Sequence, residues 1–162
     1  MQSFWSRSRR RFRALARMSW SDKALLAESL ALLAAARLLV ITTPRQRLVS
    51  RIGGSPVDEM ELTAAGTNVA GGHGRTDVGA RIGASVERVA RFTWWRSMCL
   101  EKALAAKWML GRRGIVGTMY VGMARQGSEF VAHAWLVSEG QTLTGAANTP
   151  YAPLAVFREP RA

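Results

Sequence analysis

Two residues of this chain carry chemistry in the right setting. Cys99 is the single cysteine of 162 residues. It opens a helix-like run, Cys99-Leu100-Glu101-Lys102-Ala103-Leu104-Ala105-Ala106-Lys107-Trp108-Met109-Leu110, which ends in Arg112-Arg113-Gly114. His133 lies thirty-four positions on, inside the strand-like run Phe130-Val131-Ala132-His133-Ala134-Trp135-Leu136-Val137. The nucleophilic form of cysteine is the thiolate, and a free thiol titrates near ~8.5, so it needs help at neutral pH. A helix N-terminus supplies partial positive charge and unpaired N–H groups. Those N–H groups can also hold the oxyanion of a tetrahedral intermediate. An imidazole can take the thiol proton and return it to a leaving amine. Thirty-four residues are enough for a helix and a strand to bring the two together. Arg96, just before Cys99, would further favour the thiolate.

Other readings of the same residues stand beside this one. A cysteine among apolar residues also serves as a small buried hydrophobe, and a lone histidine as a structural residue. Trp94 and Trp95 fit either a substrate groove or the core, and so does Trp135. Gly71-Gly72-His73-Gly74-Arg75-Thr76 is glycine-rich but lacks the Gly-Lys-Ser/Thr ending of a phosphate loop, so it reads as a linker and His73 as a solvated loop residue.

The elements that would position the pair follow from pattern. Ser19-Trp20-Ser21-Asp22 offers N-cap residues, and a helix runs from there to about Ile41 with a broad apolar stripe repeating through Leu25, Leu32 and Leu39. Thr42-Thr43-Pro44 stops it. A short basic helix is expected from about Arg45 to Ile52, and a flexible connection around Gly66–Arg75. Asp77–Phe92 reads as a helix with Val78, Ile82, Val86, Val89 and Ala90 on one side. After Gly114 the pattern turns to strands, Ile115–Ala124, Phe130–Val137 and a short Thr142–Thr144, joined by polar turns into an antiparallel meander. The fold class is α+β. The division expected is a basic, leucine-rich helical arm with its Gly-rich connection over 1–75 and a core over 76–162.

Composition narrows the setting. Residues 1–51 hold eleven Lys or Arg against two acids, a net of +9 out of the chain's +12. Such a block attracts acidic lipid, acidic peptide or nucleic acid without choosing among them. One cysteine excludes an intrachain disulfide, and with only two histidines argues against a structural zinc site. A reduced, cytoplasmic setting is the simplest reading. Ala24–Ile41 is apolar enough to imitate a membrane span, but Glu28, Ser29 and Arg37 interrupt it and it barely reaches the ~30 Å of a bilayer core. A buried or amphipathic helix is expected, with a membrane-associated one as the rival.

The blocks Cys99-Leu100-Glu101-Lys102-Ala103-Leu104-Ala105-Ala106, Leu110-Gly111-Arg112-Arg113-Gly114-Ile115 and Phe130-Val131-Ala132-His133-Ala134-Trp135-Leu136 together resemble the leader peptidases of lasso-peptide biosynthesis, which are transglutaminase-like, papain-related cysteine peptidases. The resemblance covers roughly Arg88–Phe157. It implies a Cys-bearing helix packed on a small antiparallel sheet, no cofactor, and Cys99 and His133 as nucleophile and base. It implies removal of a leader from a ribosomally made precursor, freeing an amine that a separate cyclase joins to a side-chain carboxyl. The partners implied are the precursor, a separate leader-recognition protein and the cyclase, with membrane contact through the basic N-terminus and no nucleic acid. The family scheme carries a third residue, commonly Asp, that orients the imidazole. No Asp follows His133; Asn148 is the best substitute, and a backbone carbonyl or water the alternative. Trp95, Arg96 and Trp135 are the expected substrate contacts. The rival functions are acyl transfer, with an amine replacing water, and a non-catalytic basic adaptor that binds peptide or membrane.

Overall fold

The computed structural model describes residues 18–44, 47, 54–56, 75–95, 97–146 and 151–157. Among these, two helices pack on one face of a five-stranded antiparallel sheet, and the N-terminal helix packs across those two. Helix α1 spans Trp20–Thr42 and is capped by Ser19, whose Oγ accepts from the Asp22 N–H at 3.1 Å. Helix α2 spans Arg75–Ala90 and α3 spans Cys99–Gly111. The strands are β1 (Gly54–Pro56), β2 (Thr118–Gln126), β3 (Glu129–Ser138), β4 (Gln141–Thr144) and β5 (Ala152–Phe157), in the order β1-β5-β2-β3-β4. This bears out the α+β expectation. The meander β2-β3-β4 is as read, but β5 returns past it to pair with β2 on the far side, and β1 extends the sheet from there. The expected helix over 45–52 and the connection around 66–75 lie outside the described residues, apart from Arg47 and Arg75.

The core explains why α1 is more than an arm. Leu33 and Ala36 of α1, Ile82 and Val86 of α2, and Leu104, Met109 and Leu110 of α3 are fully buried in one cluster with Met119 and Leu136 of the sheet. Burying such side chains contributes about 1.5–3 kcal/mol each. Polar ties sit over this apolar seam. Ser29 and Ser85 share a buried hydrogen bond of 2.8 Å between α1 and α2. Arg113 donates to Glu28 at 2.6 Å between α3 and α1, and this bond is the main reason the Glu28 carboxyl lies below its ordinary range. Of the segment set apart over 1–75, the described elements join the rest: α1 shares the core cluster and β1 pairs with the sheet.

Helix α2 approaches the sheet edge closely at a glycine. A Cβ built on Gly83 would collide with the Leu143 carbonyl oxygen and lie 3.0 Å from its carbon. Backbone cannot rotate aside as a side chain can, so Gly83→Ala is expected to cost about 1–3 kcal/mol. That outweighs the ~1 kcal/mol that alanine gains in helix propensity. Urea denaturation would register it as a lower midpoint at unchanged slope.

Candidate active site

Cys99 is the first residue of α3, so its N–H has no partner within the helix. The local sequence secures this helix start by a reciprocal device. The Met98 N–H donates to Glu101 Oε2 at 3.1 Å, and Arg37 of α1 donates to Glu101 Oε1 at 2.8 Å. Glu101 is fully buried. A buried carboxylate without a cation is strongly unfavourable, so Arg37 makes this cap tenable and offsets a negative charge two residues from the thiol. The thiol is half-buried and packs against the main core cluster.

His133 projects from the other face of the sheet. Alternate residues of β3 divide between the two sides: Ala134 and Leu136 lie in the cluster under the helices, Trp135 in a second cluster with Tyr120 and Val156. Gly122, the cross-strand partner of His133, faces Trp135. The imidazole belongs to an aromatic cluster. Tyr151 stacks on it at 4.7 Å between centroids, Trp135 lies 6.2 Å from it and 6.4 Å from Tyr151, and Trp135 is itself stacked on Tyr120 at 5.5 Å. These aromatic contacts fix the orientation of the ring.

The ring's tautomer follows from one bond. His133 Nε2 lies 2.7 Å from the Gly145 carbonyl oxygen. A carbonyl oxygen only accepts, so Nε2 carries the proton and, in the neutral ring, Nδ1 holds the lone pair. Nδ1 is therefore the nitrogen able to take a proton from a thiol. Gly145 is held where no side chain fits: its φ is +74°, and a Cβ there would lie 2.5 Å from Ala134 O and 3.0 Å from Trp135 Cα. The orienting group at this position is thus a main-chain carbonyl, the alternative to a third side chain.

Cys99 and His133 lie on opposite faces of the sheet, the thiol on the helix side and the imidazole with Trp135 on the other. Leu110, near the end of α3, meets the start of β2 at Gly117 beside Leu136. Strand β4 ends at Thr144, opposite Leu136. The Cys99 and His133 side chains are both half-buried, and no hydrogen bond joins them.

The other expected site residues sort differently. Trp135 is only 8% exposed, so it supports the imidazole instead of lining a groove. Trp95 packs on the core, and its indole N–H is buried with no partner among the described residues. Trp94, edge-on to it at 5.4 Å, stands 93% exposed beside the start of α3, together with Phe92 and Met98. The exposed apolar side chains nearest Cys99 in sequence are therefore Met98 and Trp94, while Trp95 packs on the core. Arg96 and Asn148 lie outside the described residues. Sequence reasoning did not single out Arg37, Glu101, Gly145 or Tyr151. The Cys-Leu-Glu spacing was the one available signal, since it places an acid at the third helical position, where capping acids sit. No group of three or more potential metal ligands occurs among the described residues.

No curated protein and no solved structure matches this chain significantly. Residues 5–156 match the Transglutaminase-like superfamily, a span that includes α1, Cys99, His133 and nearly all of β5. A helix headed by cysteine, a histidine strand beside it and a match over almost the whole length lead to one conclusion: the chain belongs to the transglutaminase-like superfamily.

Proposed function

We propose that this chain is a cysteine peptidase that removes the leader from a ribosomally made lasso-peptide precursor, working with a separate leader-recognition protein and ahead of a separate cyclase. The superfamily includes cysteine peptidases and acyltransferases. The observation that supports the catalytic part is the 2.7 Å bond to Gly145 O, which leaves the lone pair on Nδ1 of His133, in a chain whose one thiol stands at a helix start. The peptide-leader part is supported by the three sequence blocks around Cys99, Leu110 and His133. Trp94, Phe92 and Met98 give an extended peptide an apolar surface beside the thiol.

The reaction would run in two halves. Nδ1 takes the Cys99 proton, and Sγ attacks the scissile carbonyl carbon while the C=O pair moves to oxygen. The Cys99 N–H and the helix start hold that oxyanion. Collapse breaks the C–N bond, and the proton on Nδ1 passes to the leaving amine, which departs as the new N-terminus. Water, giving a proton to Nδ1, then cleaves the thioester and restores the thiol. The catalytic bond between thiol and ring would tighten with substrate in place, as such bonds often do.

Incubation of the chain with precursor and recognition protein, followed by mass spectrometry, tests this. The expected products are a core peptide with a free amine and a leader whose mass corresponds to a free carboxylate. A leader joined to an added amine, with no hydrolysis, would replace this reading by acyl transfer. An unaltered precursor would favour the adaptor.

A further inference from the structure

We infer that the outer face of α1 docks on an anionic membrane surface, with the helix lying in the plane of the interface. A helix on the surface of a soluble domain turns its charged side outward; α1 does the reverse. Its charged side chains are drawn to partners in the fold: Asp22 to Arg81 at 2.7 Å, Glu28 to Arg113 at 2.6 Å, and Arg37 to Glu101 at 2.8 Å. The exposed face left between them is Ala27, Leu30, Ala31, Ala35, Leu38 and Ile41, with no charge among them. Leu38 and Ile41 are 60% and 59% exposed. Helix α1 is long and apolar enough to cross a bilayer by length and composition. Spanning would tear Leu33, Ala36 and Ser29 from the core, so the compatible placement is parallel to the surface.

The ends of the helix select the kind of surface. Trp20 opens α1 at 85% exposure with Lys23 above its ring at 5.0 Å, a pairing suited to the headgroup level. Six arginines between Arg7 and Arg17 precede the helix, and Arg45, Arg47 and Arg51 follow it. An uncharged apolar strip bracketed by basic residues complements a bilayer with anionic headgroups, to which each basic residue adds attraction.

The test is sedimentation of the full chain with vesicles of phosphatidylcholine containing about one-third phosphatidylglycerol, against pure phosphatidylcholine. The expected result is partition to the anionic vesicles, reduced at least about tenfold in the double variant Ala31→Glu/Leu38→Glu and reversed by high salt. Both positions are exposed, so the fold should survive, as circular dichroism would verify. Failure to sediment with anionic vesicles overturns the inference. So does equal binding by the double variant, which would assign all attachment to the arginine segments. A lipid-free dimer that the double variant dissociates would also overturn it, by giving this face to a second copy. None of these outcomes bears on Cys99 chemistry.

Discussion

Cys99→Ala is expected to abolish cleavage, by at least about 10⁴-fold in kcat, while leaving far-UV circular dichroism and the unfolding midpoint nearly unchanged. The large effect follows from covalent catalysis. Without Sγ no thioester forms, and what remains is the modest acceleration from binding and the oxyanion donors. The small structural effect follows from the site. Alanine is a good helix former, and the helix start is held by the Met98–Glu101–Arg37 cap, none of which touches the thiol. Cys99 is half-buried, and its thiol makes no hydrogen bond among the described residues. Cleavage at wild-type rate by this variant would remove the thiol from the chemistry altogether.

His133→Gln is expected to lower kcat by about 10²–10⁴. This substitution separates two roles. A glutamine amide can still donate to the Gly145 carbonyl and pack beside Tyr151 and Trp135, but it has no titratable nitrogen. If His133 served only to close the sheet edge onto Gly145, glutamine would keep activity and alanine would lose both activity and stability. As the base, it is lost with either substitution, and the glutamine variant stays folded. Leaving the Gly145 carbonyl unpaired in His133→Ala costs an additional ~1–3 kcal/mol where that group is shielded from water.

Which parts of this arrangement were legible beforehand depends on the range of the interactions involved. The start of α1 was visible because Ser19 and Asp22 lie three residues apart and cap locally. The face of α2 was visible because Val78, Ile82, Val86 and Val89 repeat at helical spacing. Strand β5 was not, because Pro153 interrupts a six-residue segment and proline ordinarily argues against a strand interior. It is accommodated beside the register shift between Val121 and Gly122. Strand β1 has only three residues and ends in Pro56, which an edge strand tolerates.

The candidate site divides the same way. The helix headed by Cys99 and the strand carrying His133 follow from local pattern. Glu101 reads as an ordinary first-turn acid until Arg37, 64 residues earlier, is seen to neutralise it. Asn148, the preferred orienting side chain, lies outside the described residues, and the bond seen at the ring goes to the main chain of Gly145, the kind of group given as the alternative. A backbone carbonyl leaves no residue type to find. The two adjacent tryptophans could not be told apart because a turn, not a periodic element, decides that Trp94 faces solvent and Trp95 the core.

The chain's single cysteine allows the Cys99–His133 partnership to be measured without knowing the precursor. Alkylation by iodoacetamide at neutral pH, followed by intact mass, reads the reactivity of one thiol only. The wild type should react at least about tenfold faster than His133→Gln, because the imidazole draws the proton from sulfur and raises the share of thiolate. Equal rates in the two folded proteins would show that the ring and the thiol never share a proton.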